Sequence, residues 1–378
     1  MIAFMFLGRH RAPRGSRSRP PPNVGDMQHR TLGSADLQVS ELALGTMTFG
    51  AETDEPDAHR ILDRFMDQGG TFIDTADVYA GGASEKILGR WLARRREADR
   101  PVLATKARFP TSDDPADKGA GRQHLERALH ASLGRLGVEA IDLYQIHAWD
   151  PDTPIEETLE VLDGFVRAGK VRAIGVSNFL GWQLERAILT AAGHGWAPVV
   201  SLQPQYNLLT RDIELDSMPL CLERQIGILP WSPLGGGWLT GKYSADRRPH
   251  GATRLGEDPD RGVEAYGLRN NERTWRILAA VEEVARAREV SMGQVAINWL
   301  RRRPGVSAVL LGCRTVQQLD DNLGATGWEL TEEEMSSLTR ASAPGIPVYP
   351  QGFLEVEAGV DYWEKLGTRV RPPFGPGA

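Results

Sequence analysis

Four residues in this chain could together protonate an oxygen atom that gains negative charge: Asp74, Tyr79, Lys106 and His147. A tyrosine hydroxyl, with a pKa near about 10, is a poor acid at neutral pH, but a neighbouring ammonium favours its phenolate and strengthens it as a donor. Lys106 can supply that cation. Asp74 can hold the lysine through a charge-assisted hydrogen bond, and His147 can orient a carbonyl oxygen against the tyrosine. Taken singly, each residue has an ordinary explanation: a strand-end cap, a packed ring, a solvated amine, a satisfied core histidine. Their common placement is less ordinary, because each lies at the end of an apolar run or in the loop just after one.

Those runs are the elements that must position the four groups. Candidate strands are Leu42–Gly45, Thr71–Asp74, Val102–Lys106, Ile141–His147, Val171–Val176, Val199–Gln203, Gly227–Trp231 and Ser307–Leu311. Between them the spacing is helical, with Leu125, Leu129, Leu133 and Leu136 on one face and Ile155, Leu159, Leu162 and Val166 on another. Thr153, Pro154 and Glu156 read as an N-cap, a first-turn proline and a capping-box partner, and Ser84-Glu85 opens the helix that holds Ile87, Leu88, Trp91 and Leu92. Eight strand-helix units in succession predict an α/β protein, a closed (β/α)8 TIM barrel over residues 27–343. Active sites of such barrels sit where strands end, which is where the polar residues fall. Outside the repeat lie an N-terminal hairpin over Arg30 to Ser40, a long loop from Leu234 to Asn270 after strand seven, and an irregular C-terminal tail over 344–378.

Composition bounds the function further. The net charge of −6 hides five arginines in residues 1–26 against the single acid Asp26, so the remainder carries 39 basic and 49 acidic residues. An acidic body excludes general nucleic-acid binding, which needs basic surface to displace counterions. Two cysteines, Cys221 and Cys313, make neither a disulfide framework nor a metal-ligand spacing, and the eight histidines are scattered, so no metal site is expected and a reducing cytoplasm is. Met1 to Leu7 is apolar, but the arginines follow it instead of preceding it, the reverse of a secretory signal. The expectation for 1–26 is a disordered extension, or a start assigned upstream of Met27.

The motifs around these residues resemble the aldo-keto reductase superfamily. They are Leu44-Gly45-Thr46-Met47-Thr48-Phe49-Gly50, Phe72-Ile73-Asp74-Thr75-Ala76-Asp77-Val78-Tyr79, Ala104-Thr105-Lys106, Asp142-Leu143-Tyr144-Gln145-Ile146-His147, Gly175-Val176-Ser177-Asn178-Phe179, Gln203-Pro204-Gln205-Tyr206-Asn207-Leu208, Trp231-Ser232-Pro233-Leu234 and Gly312-Cys313-Arg314-Thr315. The resemblance implies an oxidoreductase that reduces aldehydes or ketones with NADP(H), with Asp74, Tyr79, Lys106 and His147 as its catalytic tetrad. It further implies that Ser177, Asn178 and Gln203 hold the nicotinamide amide and that Trp231 stacks on the ring. Thr46 and Met47 fall in the same cofactor set. Ser232, Leu234, Gly235 and Lys242 match the pyrophosphate side, while Gly312, Arg314, Gln318, Asp321 and Asn322 match the adenosine end, with Arg314 assigned to the 2′-phosphate. No dinucleotide-binding domain of the Rossmann kind is implied, and Gly235-Gly236-Gly237 lacks the third glycine of that fingerprint, Thr240 standing in its place. Gln318 lies where many members carry Arg, which loosens the preference for NADPH over NADH. Phe49, Phe109 and Trp149 are candidates for an apolar substrate pocket.

Two other classes compete. Read without its neighbours, Lys106 could form a Schiff base, as barrel aldolases do. The motifs also resemble potassium-channel β subunits, so an NADP(H)-binding sensor or regulatory subunit with little turnover is the alternative function. If residues 1–26 carry no part of the fold, a chain beginning at Met27 unfolds at the same temperature as the full chain, measured by circular dichroism; loss of folding on truncation would make the extension structural.

Overall fold

A computed structural model describes residues 27–345 and, beyond them, 347, 350, 352, 353 and 356. The expected extension over 1–26 and most of the expected tail lie outside the described residues. A hairpin of β1 (His29–Thr31) and β2 (Gln38–Ser40) precedes the barrel, as expected. The barrel strands are β3 (Leu42–Gly45), β4 (Phe72–Asp74), β5 (Val102–Ala107), β6 (Ile141–Ile146), β7 (Val171–Ser177), β8 (Val199–Gln203), β9 (Gly227–Ile228) and β10 (Val309–Gly312). They form one parallel sheet in the order β10-β3-β4-β5-β6-β7-β8-β9. The two ends of that order meet, because Ser307 N–H donates to Ile228 O (3.0 Å) and Leu310 N–H to Pro230 O (2.9 Å).

Crossovers are made by α1 (Glu55–Asp67), α2 (Ala83–Leu92), α3 (Arg122–Leu136), α4 (Ile155–Arg167), α5 (Gly181–His194) and α6 (Ser217–Glu223). The segment after β9 carries α7 (Arg254–Glu257), α8 (Tyr266–Arg269), α9 (Glu272–Arg288) and α10 (Met292–Arg301), and α11 (Val316–Leu323) and α12 (Glu332–Ala341) follow β10. The long loop after β9 therefore holds short helical turns where an irregular run was expected. A second expectation fails at the start of α4: Pro154 occupies the cap position with no side-chain cap, and the Thr153 hydroxyl donates instead to Asp150 Oδ2 (2.7 Å).

Strand alternation divides the barrel interior into two layers. The lower layer is apolar and includes Ala43, Phe72, Ala104, Leu143, Ala173, Val200 and Leu229, with Leu32, Leu37 and Val39 of the hairpin packed beneath it. Gly33 makes that plug fit. It adopts φ +54, and a Cβ there would stand 2.2 Å from Val200 O. Two residues further along the strands the interior turns polar, at Asp74, Lys106 and Gln145, directly above Phe72, Ala104 and Leu143. The helices cover the outside of the sheet through a larger apolar cluster that includes Phe65, Trp91, Leu129, Leu162 and Leu184. Among the described residues no helix is long and apolar enough to cross a membrane.

Candidate active site

The polar layer is organised around Asp74, the last residue of β4. Its carboxylate accepts from Lys106 Nζ (2.5 Å) on one oxygen, and from Gln203 Nε2 (2.9 Å) and Gln145 Nε2 (3.2 Å) on the other. Lys106 is fully buried and also donates to Thr75 O (2.7 Å) and to the Tyr79 hydroxyl (3.3 Å). The turn that brings Tyr79 back over Lys106 is tight, with Ala80, Gly81 and Gly82 all at positive φ. Ser84 fastens it from below, through contacts with Thr46 Oγ1 (2.8 Å) and Thr75 Oγ1 (3.0 Å). His147, one residue past β6, faces Tyr79 edge-on with ring centres 5.9 Å apart. The four expected residues are thus one contiguous group.

Electrostatics assign their charges. Burial pulls the Lys106 ammonium down, but Asp74 and Tyr79 together outweigh it, so the side chain sits above the ordinary lysine value and stays charged. An ammonium held in this way is not a nucleophile, which counts against the Schiff-base reading. Burial, then the charges of Lys106 and Arg108, push His147 down to about 2, leaving a neutral imidazole. Tyr79 departs from expectation: burial raises its hydroxyl above the usual tyrosine value, and Lys106 reverses that only in part. It is therefore a protonated donor whose product anion would meet a fixed cation.

The expected cofactor residues line the rest of the same face. Ser177 Oγ donates to Gln203 O (2.8 Å), and Asn178, at φ 56, donates from Nδ2 to His147 O (3.0 Å) and accepts from Trp231 Nε1 (3.0 Å). Gln203 spends its amide protons on Asp74 and Gln145, so its carbonyl oxygen is the end left for a ligand. Thr46 is fully buried with its hydroxyl taken by the Asp74–Ser84 framework, whereas Met47 is exposed at the mouth. Ser232, Leu234 and Gly235 lie on the turn after β9, where Gly235, Gly236 and Gly237 all have positive φ. A Cβ on Gly237 would stand 2.5 Å from Lys242 Nζ, which marks how closely that lysine folds back over the turn. Gly312 ends β10, Gln318 Oε1 caps Arg314 N (2.8 Å), Asn322 is buried in α11, and Asp321 Oδ2 and Oδ1 accept from Ser291, the cap of α10, and from Gln294 within it.

Arg314 does not stand free. Its guanidinium grips Glu257 of α7 (2.8 and 3.2 Å) and reaches Glu52 (3.3 Å), which Arg261 also holds (2.8 Å). Beside it Arg254 and Lys242 have no ion-pair partner among the described residues. Two cations that make no ion pair, next to a turn of three glycines, fit the phosphates of a dinucleotide. Arg254 was not foreseen, because a cation in an irregular loop carries no spacing signal. Gln145 was also missed, although it alternates with Leu143 and His147 on one strand face. Phe49 is fully buried and belongs to the core, not to a substrate pocket. Phe109 packs on His147 (4.7 Å), and Trp149 packs against Phe179 (5.3 Å) and an unforeseen neighbour, the half-exposed Trp182 (5.4 Å).

Known proteins resemble this chain over most of its length. A model of the aldo/keto reductase family matches residues 41–343. An uncharacterised oxidoreductase of Bacillus subtilis, YrpG, is 36% identical over 323 residues, covering 82% of this chain and 95% of its own. Protein tas of Escherichia coli is 32% identical, over 82% of this chain and 96% of its own. Norsolorinic acid reductase stcV of Emericella nidulans is 31% identical, over 93% and 90%.

The buried imidazole has a measurable consequence. His147 remains neutral in the folded chain down to about 2 while the unfolded chain binds a proton below about 6.5, so folding loses stability as pH falls through that window. Between about pH 7 and pH 5 the loss is about 1–2 kcal/mol. The variant His147→Gln should lack that share of the acid dependence in urea titrations at the two pH values; parallel slopes for both proteins would contradict it.

Proposed function

The chain belongs to the aldo/keto reductase family, and from that premise we propose that it reduces an aldehyde or ketone to the alcohol at the expense of NADPH, with Tyr79 as proton donor. One observation carries this reading: a fully buried ammonium, Lys106, held between Asp74 and the Tyr79 hydroxyl at the mouth of the barrel. The nicotinamide, when bound, supplies the hydride that adds to the carbonyl carbon. Tyr79 then breaks its O–H bond and gives the proton to the carbonyl oxygen, which completes the alcohol. The charge left on the phenolate is met by Lys106 at 3.3 Å, and Asp74 keeps that cation in place. His147, being neutral, offers an N–H to the carbonyl oxygen without adding charge.

Ser177, Asn178 and the carbonyl end of Gln203 would hold the nicotinamide amide, and the Trp231 ring would give it an apolar face. Lys242, Arg254 and Arg314 would take the phosphates. For Arg314 this involves exchange, since its fork is already filled by Glu257 and a 2′-phosphate must displace that carboxylate. NADPH is preferred, and the preference is modest. Phe109, Trp149 and Trp182 support an apolar, ring-bearing carbonyl compound as the substrate class.

Tyr79→Phe should oxidise NADPH with test aldehydes at a rate at least about a hundredfold lower, because general acid catalysis of this kind contributes about 10²–10⁴-fold. Its affinity for NADPH, read by tryptophan fluorescence, should be unchanged; equal rates in the two proteins would sink the tetrad assignment. Arg314→Gln should weaken NADPH about tenfold, the worth of about 1.4 kcal/mol, and NADH less than about twofold. Equal losses for the two nucleotides in the same titration would remove Arg314 from the 2′-phosphate.

A further inference from the structure

Behind the Tyr79 turn lies a second group of buried polar side chains that the proton step above does not use. Asp77, two residues before Tyr79, is 2% exposed, and neither of its carboxylate oxygens makes a well-formed hydrogen bond among the described residues, the adjacent Val78 N–H giving only a weak pull. Tyr144 of β6 is fully buried with its hydroxyl likewise unpartnered. Asp77 is not there by slack placement, since its own N–H donates to Lys106 O (3.0 Å) and fixes it to β5. A buried carboxylate without hydrogen bonds is expensive, and proteins usually resolve the cost by leaving the group protonated.

The charged and titratable groups around Asp77 come from every element packed against it. Glu85 of α2 is fully buried and accepts from Thr105 Oγ1 (2.6 Å) and from Arg135 Nε (2.6 Å) of α3. Lys106 approaches from β5, Tyr144 from β6, and Tyr79 lies on the same turn. Within this group Arg135 is paired with Glu85 and Lys106 with Asp74, so an ionised Asp77 would be the one anion without a partner. Burial, then the charge of Glu85, push the Asp77 carboxyl up to about 7, against smaller opposing pulls from Arg135, the Val78 backbone and Lys106. The Tyr144 hydroxyl is driven well above its usual value, by burial first and then by Asp77 and Glu85, so it remains an O–H donor.

We propose that Asp77 is a positioning residue for the proton step: uncharged, it leaves the field of Lys106 on Tyr79 undiminished, and ionised, it opposes that field and weakens Tyr79 as an acid. The inference rests on the reading of Tyr79 as proton donor. Its sign follows from like charges, because a phenolate at Tyr79 and a carboxylate at Asp77 repel, so the charged Asp77 raises the tyrosine further. The carboxyl is protonated below about 7 and ionised above, so proton donation should slow as pH rises through neutrality.

The test follows Tyr79 directly, by its phenolate absorbance on alkaline titration, taken as the difference between each protein and its Tyr79→Phe counterpart. In Asp77→Asn the Tyr79 midpoint should fall by about one pH unit relative to the parent chain. Single-turnover carbonyl reduction by the parent should drop about threefold to tenfold between about pH 6 and pH 8.5, and that drop should be absent in the variant. Asp77→Ser, a smaller neutral replacement, must give the same shift, which covers failure of the first variant to fold. An unmoved midpoint in the variants overturns the role of Asp77. Because the titration needs no substrate, a shifted midpoint without carbonyl turnover would overturn the assigned reaction instead.

Discussion

The buried pair of Asp74 and Lys106 is the interaction on which the rest of the site depends. An ammonium and a carboxylate withdrawn from water cost several kcal/mol each, and their attraction repays that only when the remaining lone pairs and protons are also met. Here they are met, by Thr75 O and the Tyr79 hydroxyl on the lysine and by Gln145 and Gln203 on the aspartate. The partners come from β5, β6 and β8 and from the turn after β4, so satisfying one pair ties four parts of the barrel mouth together. Removing either charge would leave the other uncompensated in the same layer.

The barrel makes this affordable by separating two tasks along each strand. Below the pair, Phe72, Ala104 and Leu143 close the interior with apolar volume, and the hairpin seals the far end through Leu32 and Leu37. Above it, the strand ends open onto loops that need not be regular. Those loops divide the mouth. On the β5 to β7 side stand rings, Phe109 and Trp149 in loops and Trp182 in the first turn of α5; on the β9 and β10 side the loops carry cations and glycines. The mouth is therefore chemically divided, with rings on one side and cations and glycines on the other.

The β9 and β10 side is also where charge is balanced least tightly. Glu52 and Glu257 hold Arg261 and Arg314, which clips the loop after β9 to the loop after β3, while Lys242 and Arg254 make no ion pair among the described residues. Ion pairs of this kind, part exposed, are worth about 1 kcal/mol or less each and exchange readily for a phosphate. On the proposed reading, the arginine that makes the clip, Arg314, is also the one that would meet the 2′-phosphate.

Much of this was legible in the chain. Eight apolar runs at barrel spacing, several of them ending in a polar residue, determined the fold class and located Asp74, Lys106, His147 and Tyr79, because strand alternation and the open C-terminal face are local consequences of sequence. Strand ends were less legible. The strand expected over Gly227–Trp231 stops at Ile228, since Pro230 has no N–H for the ladder; Trp231 resumes the pairing in the same register, as an isolated parallel bridge with Gln205. Only the tertiary structure decided the rest: Gln203 reaches Asp74 across 129 residues of chain, Arg314 is held by Glu257 across 57, and the Asp77 carboxyl is sealed among Glu85, Arg135 and Tyr144 from three other elements. Those contacts follow from the closure of the barrel and the path of its irregular loops, and no periodicity in a single sequence encodes which distant side chain a buried charge will meet.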